Sequence, residues 1–529
     1  KKHFLFASVL ALLCGSSTLH AQDFKLTSSG YFKNQGVDVM AFDDIYPEGH
    51  QGGVCIIMNG HRVATNGDIR LEATPGQWQP VPKQLDRKLG DNSITATLCY
   101  PDSSRHLTGF NPMIYPDLHL IYTVNVESKG KNIEVTVDLD RPIPQEFIGK
   151  VGFNLEFFPG SLFGKPWIMD GQSGIFPQQP NSPLMTTQPN YLHTGNYHDG
   201  KKSLADMDKL IGKGYSPIVA DDIISEPYAK GTKFTSRPDD PYNKVTIESL
   251  SGDLQLFDGR MNHNNGWFVL RSNIKPGVTK GAVKWIITPN VVADWMYQPV
   301  IQTSQIGYHP TQDKEAVIEM DIRDNRKETA QIIRIDADGE KVVKNVTPAN
   351  WGKFLRYNYL KVDFTDVKEP GLYKIKYDTS VSPIFRIDND VYARGVWQPG
   401  LEYFLPVQMC HMRVNEKYRV WHDCCHMDDA QMAPAHNHID GYDQKEGLSK
   451  FKPGEVVPGV NIGGWHDAGD FDLRIESQAG ESYILALAYE AFHPNLDVTS
   501  IDQINRVTEI HQPDGKNDLL QQVENGALT

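Results

Sequence analysis

Two carboxylates, Asp467 and Asp470, stand three residues apart in the segment GGWHDAGDFD at residues 463–472. Its glycines can take backbone conformations that other residues avoid, so a tight turn here can push polar groups into a cleft. Trp465 supplies an aromatic face for binding a substrate, and His466 supplies a titratable or metal-binding ring. Sugar hydrolysis needs such a set, because a carboxylate must activate a water beside a sugar held on an apolar surface. The alternative is a solvated turn, since Asp and Gly are common turn residues.

A second set of reactive residues is rich in cysteine and histidine. Its members are Cys410, His411, His422, Cys424, Cys425, His426, His436, His438 and His466. Thiolates and imidazoles at this density are typical of tetrahedral zinc sites. The adjacent Cys425 and His426 can bind one ion only if their loop is bent, and distant ligands must complete the site. A disulfide from Cys410 to Cys424 or Cys425, or buried thiols, are the alternatives.

Most of the chain before these residues shows a β pattern. Alternating apolar residues at 118–126 and 133–139, with a Lys-Gly-Lys turn between them, predict a hairpin. Further short strands predict a β-sandwich of unknown role at residues 22–296, with long loops at 171–242 and a short helix at 203–211. Alternating strands and turns at 297–388, including a hairpin turn at 336–339, are typical of an immunoglobulin-like sandwich.

Beyond Asp390 the pattern becomes helical. Apolar spacing predicts a helix within 391–412, a second helix at 477–492 and the start of another at 517–525. The stretch 424–464 is long, irregular and rich in Asp, His, Gly and Pro, and such connections inside a compact domain are usually functional. Both reactive sets are therefore expected in a third, helical domain.

Charge and the N-terminus bear on partners and location. Lys+Arg 52 against Asp+Glu 66 gives a net charge of −14, which argues against nucleic acid and anionic membranes as partners. A neutral polysaccharide or oligosaccharide is indifferent to that charge. A basic start, an apolar run at 4–13 and a small residue at Ala21 predict a signal peptide at residues 1–21. The protein is therefore expected to be exported, to the periplasm or the outside, with no transmembrane segment after signal removal.

Residues 463–470 resemble the Gly-Gly-Trp-(Tyr/His)-Asp-Ala-Gly-Asp signature of glycoside hydrolase family 9, which consists mainly of cellulases. The preceding β segment, from QIGY at 305–308 to FRI at 385–387, resembles the immunoglobulin-like domain found before many of these catalytic domains. Residues 514–520 with Glu524 resemble the family segment in which a barrel helix begins. The resemblance covers residues 298–529 and leaves the first β region outside it.

This resemblance implies an (α/α)6 barrel, begun here by residues 389–529, and inverting hydrolysis of β-1,4-glucosidic bonds in cellulose, xyloglucan or mixed-linkage glucan. Asp470 corresponds to the general base that deprotonates the attacking water. Asp467 corresponds to the carboxylate that helps to hold this water and tunes its partner, because two nearby carboxylates repel each other's charge.

The resemblance also implies a structural zinc, with calcium as a further candidate ion. Zinc-containing members use a Cys, a Cys-His pair and a second His, which implies the ligands Cys410, Cys425, His426 and His466. The doubled thiol at Cys424 and the nearby His436 and His438 leave rival choices for these positions.

Departures from the family pattern concern substrate and catalysis. Phe471 and Asp472 replace residues that many members have at the cleavage subsite, so the resemblance does not specify which glycan is cleaved. The family's general acid, a late glutamate, has no counterpart up to Thr529, and the sequence is therefore expected to be a C-terminally truncated fragment. A non-catalytic glycan-binding or scaffold protein is the main alternative. A zinc hydrolase is a weaker one, because four protein ligands would leave no open position for water.

Overall fold

The computed structural model describes the chain in segments. They comprise residues 23–43, 53–72, 75, 82–100, 120–181, 184–185, 224–261, 266–428, 430–432, 449–468 and 473–529. The predicted signal peptide, the predicted helix at 203–211, and the residues His436, His438 and Asp470 lie outside these segments. The described residues form two compact units, one ending at Tyr297 and the other beginning at Gln298.

The first unit consists of two antiparallel sheets of nine strands each and a two-stranded ribbon. In order across the first sheet, its strands are Lys25–Leu26, Phe32–Asn34, Val37–Ala41, Val54–Met58, His61–Leu71, Val151–Phe157, Phe268–Asn273, Leu254–Asp258 and Ala229–Gly231. In order across the second sheet, they are Gln172–Ile175, Pro166–Met169, Lys233–Ser236, Val245–Ser249, Val283–Pro289, Asn132–Leu139, Ile121–Lys129, Ser93–Cys99 and Lys83–Leu89. The ribbon pairs Leu184–Met185 with Ile224–Ser225. Single 3₁₀ turns occur at Gln145–Phe147, Pro159–Ser161 and Gly259–Met261.

One hydrophobic core joins both sheets, so the unit is a β-sandwich. Phe153 of the first sheet packs edge-on against Trp285 of the second, with 5.0 Å between the ring centroids. The predicted hairpin is confirmed, because Lys129 pairs with Asn132 across a two-residue turn. The prediction of loops throughout 171–242 is wrong in part. The strands Ala229–Gly231 and Lys233–Ser236 belong to the two sheets.

Charged side chains that alternate with core residues are buried along the first sheet. Arg271 Nη1 lies 3.4 Å from Glu72 Oε1 and donates to Asn154 Oδ1 at 3.1 Å. Arg70 Nη1 lies 3.8 Å from Asp68 Oδ2 in the same row. Removal from water raises the pKa of Glu72 to about 7 and that of Asp68 to about 6, although the arginines oppose the shift.

The second unit begins with a sandwich of a four-stranded and a five-stranded sheet, both antiparallel. The strands of the smaller sheet, in order, are Val300–Gln302, Glu315–Asp321, Tyr357–Asp363 and Ala349–Phe354. Those of the larger sheet are Gly339–Val346, Ala330–Asp336, Gly371–Tyr377 and Ser380–Val381, with Phe385–Ile387 beside Gly371–Tyr377. The ring of Tyr308 fills the core between them, 5.1 Å from Phe364 and 5.3 Å from Phe385. The hairpin turn predicted at 336–339 is confirmed, because Asp336 pairs with Gly339.

The described residues after residue 388 combine helices with a small sheet. A π-helix at Gly400–Phe404 continues as an α-helix at Leu405–Gln408. The other described α-helices are Ile475–Phe492, here the long helix, and Asp518–Ala527, here the C-terminal helix. A four-stranded sheet that the sequence did not predict contains, in order, Arg419–His422, Arg413–Glu416, Val507–Ile510 and Thr499–Asp502. The described residues therefore do not confirm the start of an all-α (α/α)6 barrel.

Both predicted helices after the reactive residues are present, and they pack on one another. Asn517 caps the C-terminal helix, because its side chain accepts hydrogen bonds from the backbone N–H groups of Leu519 and Leu520. The long helix leaves a set of large apolar side chains 45–81% exposed, namely Ile475, Tyr483, Ile484, Leu487 and Phe492. Apolar helix surfaces of this extent normally pack against another element. No helix that the structure describes is long and apolar enough to cross a membrane.

Candidate metal centre and carboxylate segment

Four side chains from distant parts of the second unit meet at one point. They are Cys410, Cys425, His426 and His466, the ligands predicted from the sequence, and their ligand atoms all lie within 4.8 Å of one another. The Sγ of Cys410 is 3.7 Å from the Sγ of Cys425 and 3.1 Å from Nδ1 of His426. The Sγ of Cys425 is 3.1 Å from Nε2 of His466. We call this set the Cys/His cluster.

The spacing of the Cys/His cluster fits a tetrahedral metal better than a disulfide. A disulfide joins its sulfurs at about 2.05 Å, whereas the sulfurs of Cys410 and Cys425 are 3.7 Å apart. A tetrahedral zinc with bonds of about 2.3 Å holds two sulfurs roughly 3.8 Å apart. Calcium prefers oxygen ligands, so two thiolates and two imidazoles do not suit it. Four protein ligands would also close the coordination shell, which is typical of structural zinc.

Backbone geometry explains how these ligands meet. His426 has a φ of 53°, which supplies the bend that lets adjacent Cys425 and His426 side chains reach one ion. The Cys410 N–H donates to the carbonyl of Gly464 at 2.8 Å, and the His466 N–H donates to the carbonyl of Gln408 at 2.7 Å. These two bonds pair residues 408–410 with residues 464–466. We call the described residues 463–468 the carboxylate segment.

Three further side chains of this region that the structure describes, Cys424, His411 and His422, are directed elsewhere. Cys424 is exposed, and its thiol lies 3.9 Å from a backbone oxygen of residue 506. His411 Nδ1 is 2.8 Å from the carbonyl oxygen of Gly463, and His422 Nε2 is 3.0 Å from that of Val407. Of the doubled cysteines, therefore, Cys425 faces the cluster and Cys424 does not.

Burial favours the neutral form of two imidazoles in this region. Loss of hydration, together with the neighbouring His422, His426 and His411, lowers the pKa of His466 to about 4. Burial also lowers the pKa of His411. A neutral imidazole is the form that binds a metal.

Asp467 follows the ligand His466 directly in the chain and is exposed. Its Oδ2 lies 3.2 Å from Nε of Arg474. Burial and the negative charge of Asp467 raise the pKa of Glu481, a residue of the long helix. Asp470 lies outside the described residues. Of the two predicted carboxylates, the described one is thus exposed and follows a member of the Cys/His cluster directly in the sequence.

Trp465 is 2% exposed and belongs to a small hydrophobic core with Met409, Met412 and Val414. Its indole N–H donates to Oε1 of Gln522 at 2.8 Å. The ring therefore offers no open face on which a sugar could rest. In this geometry Trp465 anchors residues 463–468 in the hydrophobic core. The prediction that Trp465 binds substrate gains no support.

Buried amides that the sequence analysis missed hold the carboxylate segment. Gln478 Oε1 accepts from the Trp465 N–H at 3.2 Å, and Asn525 Nδ2 donates to the carbonyl of Gly464 at 3.0 Å. A signal for the second residue was present in the sequence. Buried polar residues of the C-terminal helix recur at helical spacing, at Asp518, Gln521, Gln522 and Asn525.

Residues 296–382 match the family described as the cellulase N-terminal ig-like domain. This confirms the predicted immunoglobulin-like domain of a cellulase-type chain. No curated protein matches the chain in sequence.

Solved structures with local likeness include family 9 glycoside hydrolases. A zinc-binding triple mutant of a family 9 endoglucanase shares 23% identity over 41% of this chain, with a TM-score of 0.31. A Bacteroides ovatus family 9 protein shares 21% over 43%, with a TM-score of 0.32. The match spans 37% of each of those two chains. A galactose mutarotase related enzyme from Lactobacillus acidophilus shares 10% over 50% of this chain and 98% of its own, with a TM-score of 0.26.

Proposed function

We propose that this protein is an exported glycoside hydrolase of the family 9 type, which cleaves β-1,4-glucosidic bonds of a plant-type β-glucan with inversion. The observation that carries the proposal is the position of Asp467, next in sequence to His466 of the Cys/His cluster. A carboxylate segment anchored in this way can keep a fixed geometry. The cellulase-type immunoglobulin-like match at residues 296–382 supports the same class of enzyme.

In this proposal Asp470 acts as the general base and Asp467 assists it. The base takes a proton from a water as the water attacks the anomeric carbon, and an opposing acid protonates the leaving oxygen from about 6.5–9.5 Å away. Asp467 helps to hold that water. Arg474 lies 3.2 Å from the carboxylate of Asp467 and orients this carboxylate. The glycan is cellulose, xyloglucan or mixed-linkage glucan. No described residue is assigned as the opposing acid.

We further propose that the Cys/His cluster holds a structural zinc. The donor set and the 3.7 Å separation of its sulfurs support this choice. The ion would tie residues 410, 425 and 426 to residue 466 and so fix the turn that carries Asp467. It would supply rigidity to the turn and take no part in the cleavage step.

The exposed apolar side chains of the long helix support a larger helical domain. Five of them are 45–81% exposed, and further helices packed on this surface would cover them. An (α/α)6 barrel would provide such helices. The signal-like N-terminus supports export to the periplasm or the extracellular space, where polysaccharide substrates are found.

The test compares the full-length protein with its Asp470→Asn variant on soluble β-1,4-glucan oligosaccharides. The unaltered protein should release products whose anomeric configuration, followed by NMR, is inverted. Asp470→Asn should lose at least about a hundredfold in rate, the usual contribution of a general base, while it still binds the oligosaccharide. Retained activity in this variant would refute the base assignment, and products of retained configuration would refute the inverting mechanism.

A further inference from the structure

The smaller sheet of the immunoglobulin-like sandwich carries exposed aromatic side chains on its outer face. Trp351 and Phe354 of the edge strand are 55% and 57% exposed, and Tyr357 and Tyr359 stand beside them on the neighbouring strand. We call these four residues the aromatic platform. Contiguous exposed apolar surface of this kind usually marks a binding site.

A β-bulge brings Trp351 into this group. The register between the edge strand and its neighbour shifts between Asn350 and Gly352, so Trp351 is the extra residue of the edge strand. Bulges re-aim the side chain they carry. Here the indole stands edge-on to the ring of Tyr359, with centroids 5.6 Å apart and planes at 89°. Tyr357 and Tyr359 lie 6.2 Å apart, and Phe354 is directly opposite Tyr357.

The hairpin tip beside the platform is also unusual. Leu355 has a φ of 52° and is 78% exposed. A bulky residue in the left-handed region is rare and costs conformational energy, and such strain tends to occur at functional sites. Folding alone gains little from a strained leucine in water. This second feature adjoins the platform in sequence, which favours a ligand-binding role for the whole hairpin.

Charged groups of both signs border the platform, and several of them are paired. Lys361 Nζ is 2.8 Å from Glu315 Oε1, and Arg323 Nη2 is 2.8 Å from Asp321 Oδ2. Glu319 accepts a hydrogen bond from the Tyr359 hydroxyl at 3.2 Å. The acidic Glu315, Glu319 and Asp321 offset basic groups beside the rings, which disfavours a polyanion such as nucleic acid. Aromatic rings bordered by paired polar groups suit a neutral ligand with both C–H faces and hydroxyl groups.

We propose that the aromatic platform is a glycan-binding surface, separate from the carboxylate segment, on which an extended β-1,4-glucan chain stacks. The choice of this glycan rests on the proposed function, whereas the choice of a neutral sugar polymer rests on the platform itself. A surface of this kind would hold a polymer on the protein between cleavage events. None of its residues belongs to the proposed cleavage machinery.

The test is titration calorimetry of the full-length Asp470→Asn protein with cellohexaose, together with a pull-down on insoluble cellulose. Trp351→Ala should weaken binding to cellulose about tenfold, equal to about 1.4 kcal/mol, whereas Trp351→Phe, which keeps a ring, should retain most of it. Tyr418→Ala is the matched control, because Tyr418 is 95% exposed and lies outside the platform. Thermal unfolding of each variant checks that the sandwich remains folded.

The outcomes separate this inference from the proposed function. Cellulose binding that Trp351→Ala leaves unchanged would overturn the inference even if the full-length protein hydrolyses glucan. Binding that depends on Trp351 would support it even if no hydrolysis is found. If Trp351→Ala instead abolishes self-association measured by sedimentation and leaves glucan binding intact, the platform contacts a second copy of the chain and the inference is wrong.

Discussion

Cys424 and Cys425 are neighbours in sequence, yet only the second thiol faces the Cys/His cluster. We expect the unaltered protein to contain about one zinc per chain and Cys410→Ser or Cys425→Ser to contain almost none, because a structural zinc needs its full set of ligands. Metal content by elemental mass spectrometry is the measurement. Cys424→Ser is the matched control and should keep its zinc. Zinc retained by Cys425→Ser but lost from Cys424→Ser would reverse the assignment.

Gly464 stands where two segments approach closely. Its φ is 80°, and a Cβ built there would lie 2.3 Å from Oε1 of Gln478. We expect Gly464→Ala to destabilise the second unit by roughly 1–3 kcal/mol more than Gly459→Ala, because crowding adds to the backbone strain. Gly459 is a close control, since its φ is 82° and nothing lies within 4 Å of its Cβ position. Equal losses in denaturant unfolding would show that crowding at Gly464 is relieved.

Residue types in the sequence indicated a metal site, and the family resemblance singled out its ligands, but neither gave the role of the tryptophan. A high density of thiols and imidazoles is typical of zinc sites. The resemblance to family 9 implied the set Cys410, Cys425, His426 and His466, and the structure brings all four together. An aromatic side chain serves equally well in a core or on a sugar. Trp465 is buried because the C-terminal helix supplies Gln522 for its N–H, a contact between residues 57 apart that no local pattern reveals.

The C-terminal helix supports the carboxylate segment through one buried face. Asn525 Nδ2 donates to the carbonyl of Gly464, and its Oδ1 accepts from Nε2 of Gln503, both at 3.0 Å. We expect Asn525→Ala to lower the free energy of unfolding of the second unit by about 1–3 kcal/mol, because buried partners lose their hydrogen bonds. Glu524→Ala on the exposed face of the same helix should change it by less than about 0.5 kcal/mol. Similar losses for Asn525→Ala and Glu524→Ala in urea unfolding would contradict a supporting role for the buried face of this helix.

Local elements were predictable where one segment contains its own signals. The hairpin turn after Lys129 and the start of a helix at Asn517 were both predicted from short patterns. The sheet that joins Arg413–Glu416 to Val507–Ile510 was missed, because its two parallel strands are some ninety residues apart and each is only four residues long. Pairing at that distance depends on tertiary packing. The alternation of apolar and polar residues within a four-residue strand does not reveal the strand's partner.

The molecule as a whole buries acidic groups in its first unit, and this predicts how its stability depends on pH. Burial raises the pKa of Glu72 to about 7 and that of Asp68 to about 6, above the values near 4 of unfolded carboxyls. The folded state therefore binds more protons than the unfolded state between about pH 4 and pH 7, so stability falls as the pH rises through this window. We expect the first unit to unfold at a lower temperature at pH 8 than at pH 5.

Calorimetry of the unaltered protein and of Glu72→Gln between pH 5 and pH 8 measures this dependence. A protonated glutamate and a glutamine are similar in shape and charge. The first unit of Glu72→Gln should therefore unfold at a temperature similar to that of the unaltered protein at pH 5, and its unfolding temperature should fall less between pH 5 and pH 8. Glu248→Gln, a partly exposed residue of the same sandwich, should leave the pH profile unchanged. A first unit that is more stable at pH 8 than at pH 5 would mean that Arg70 and Arg271 outweigh the cost of burial and hold both carboxyls ionised.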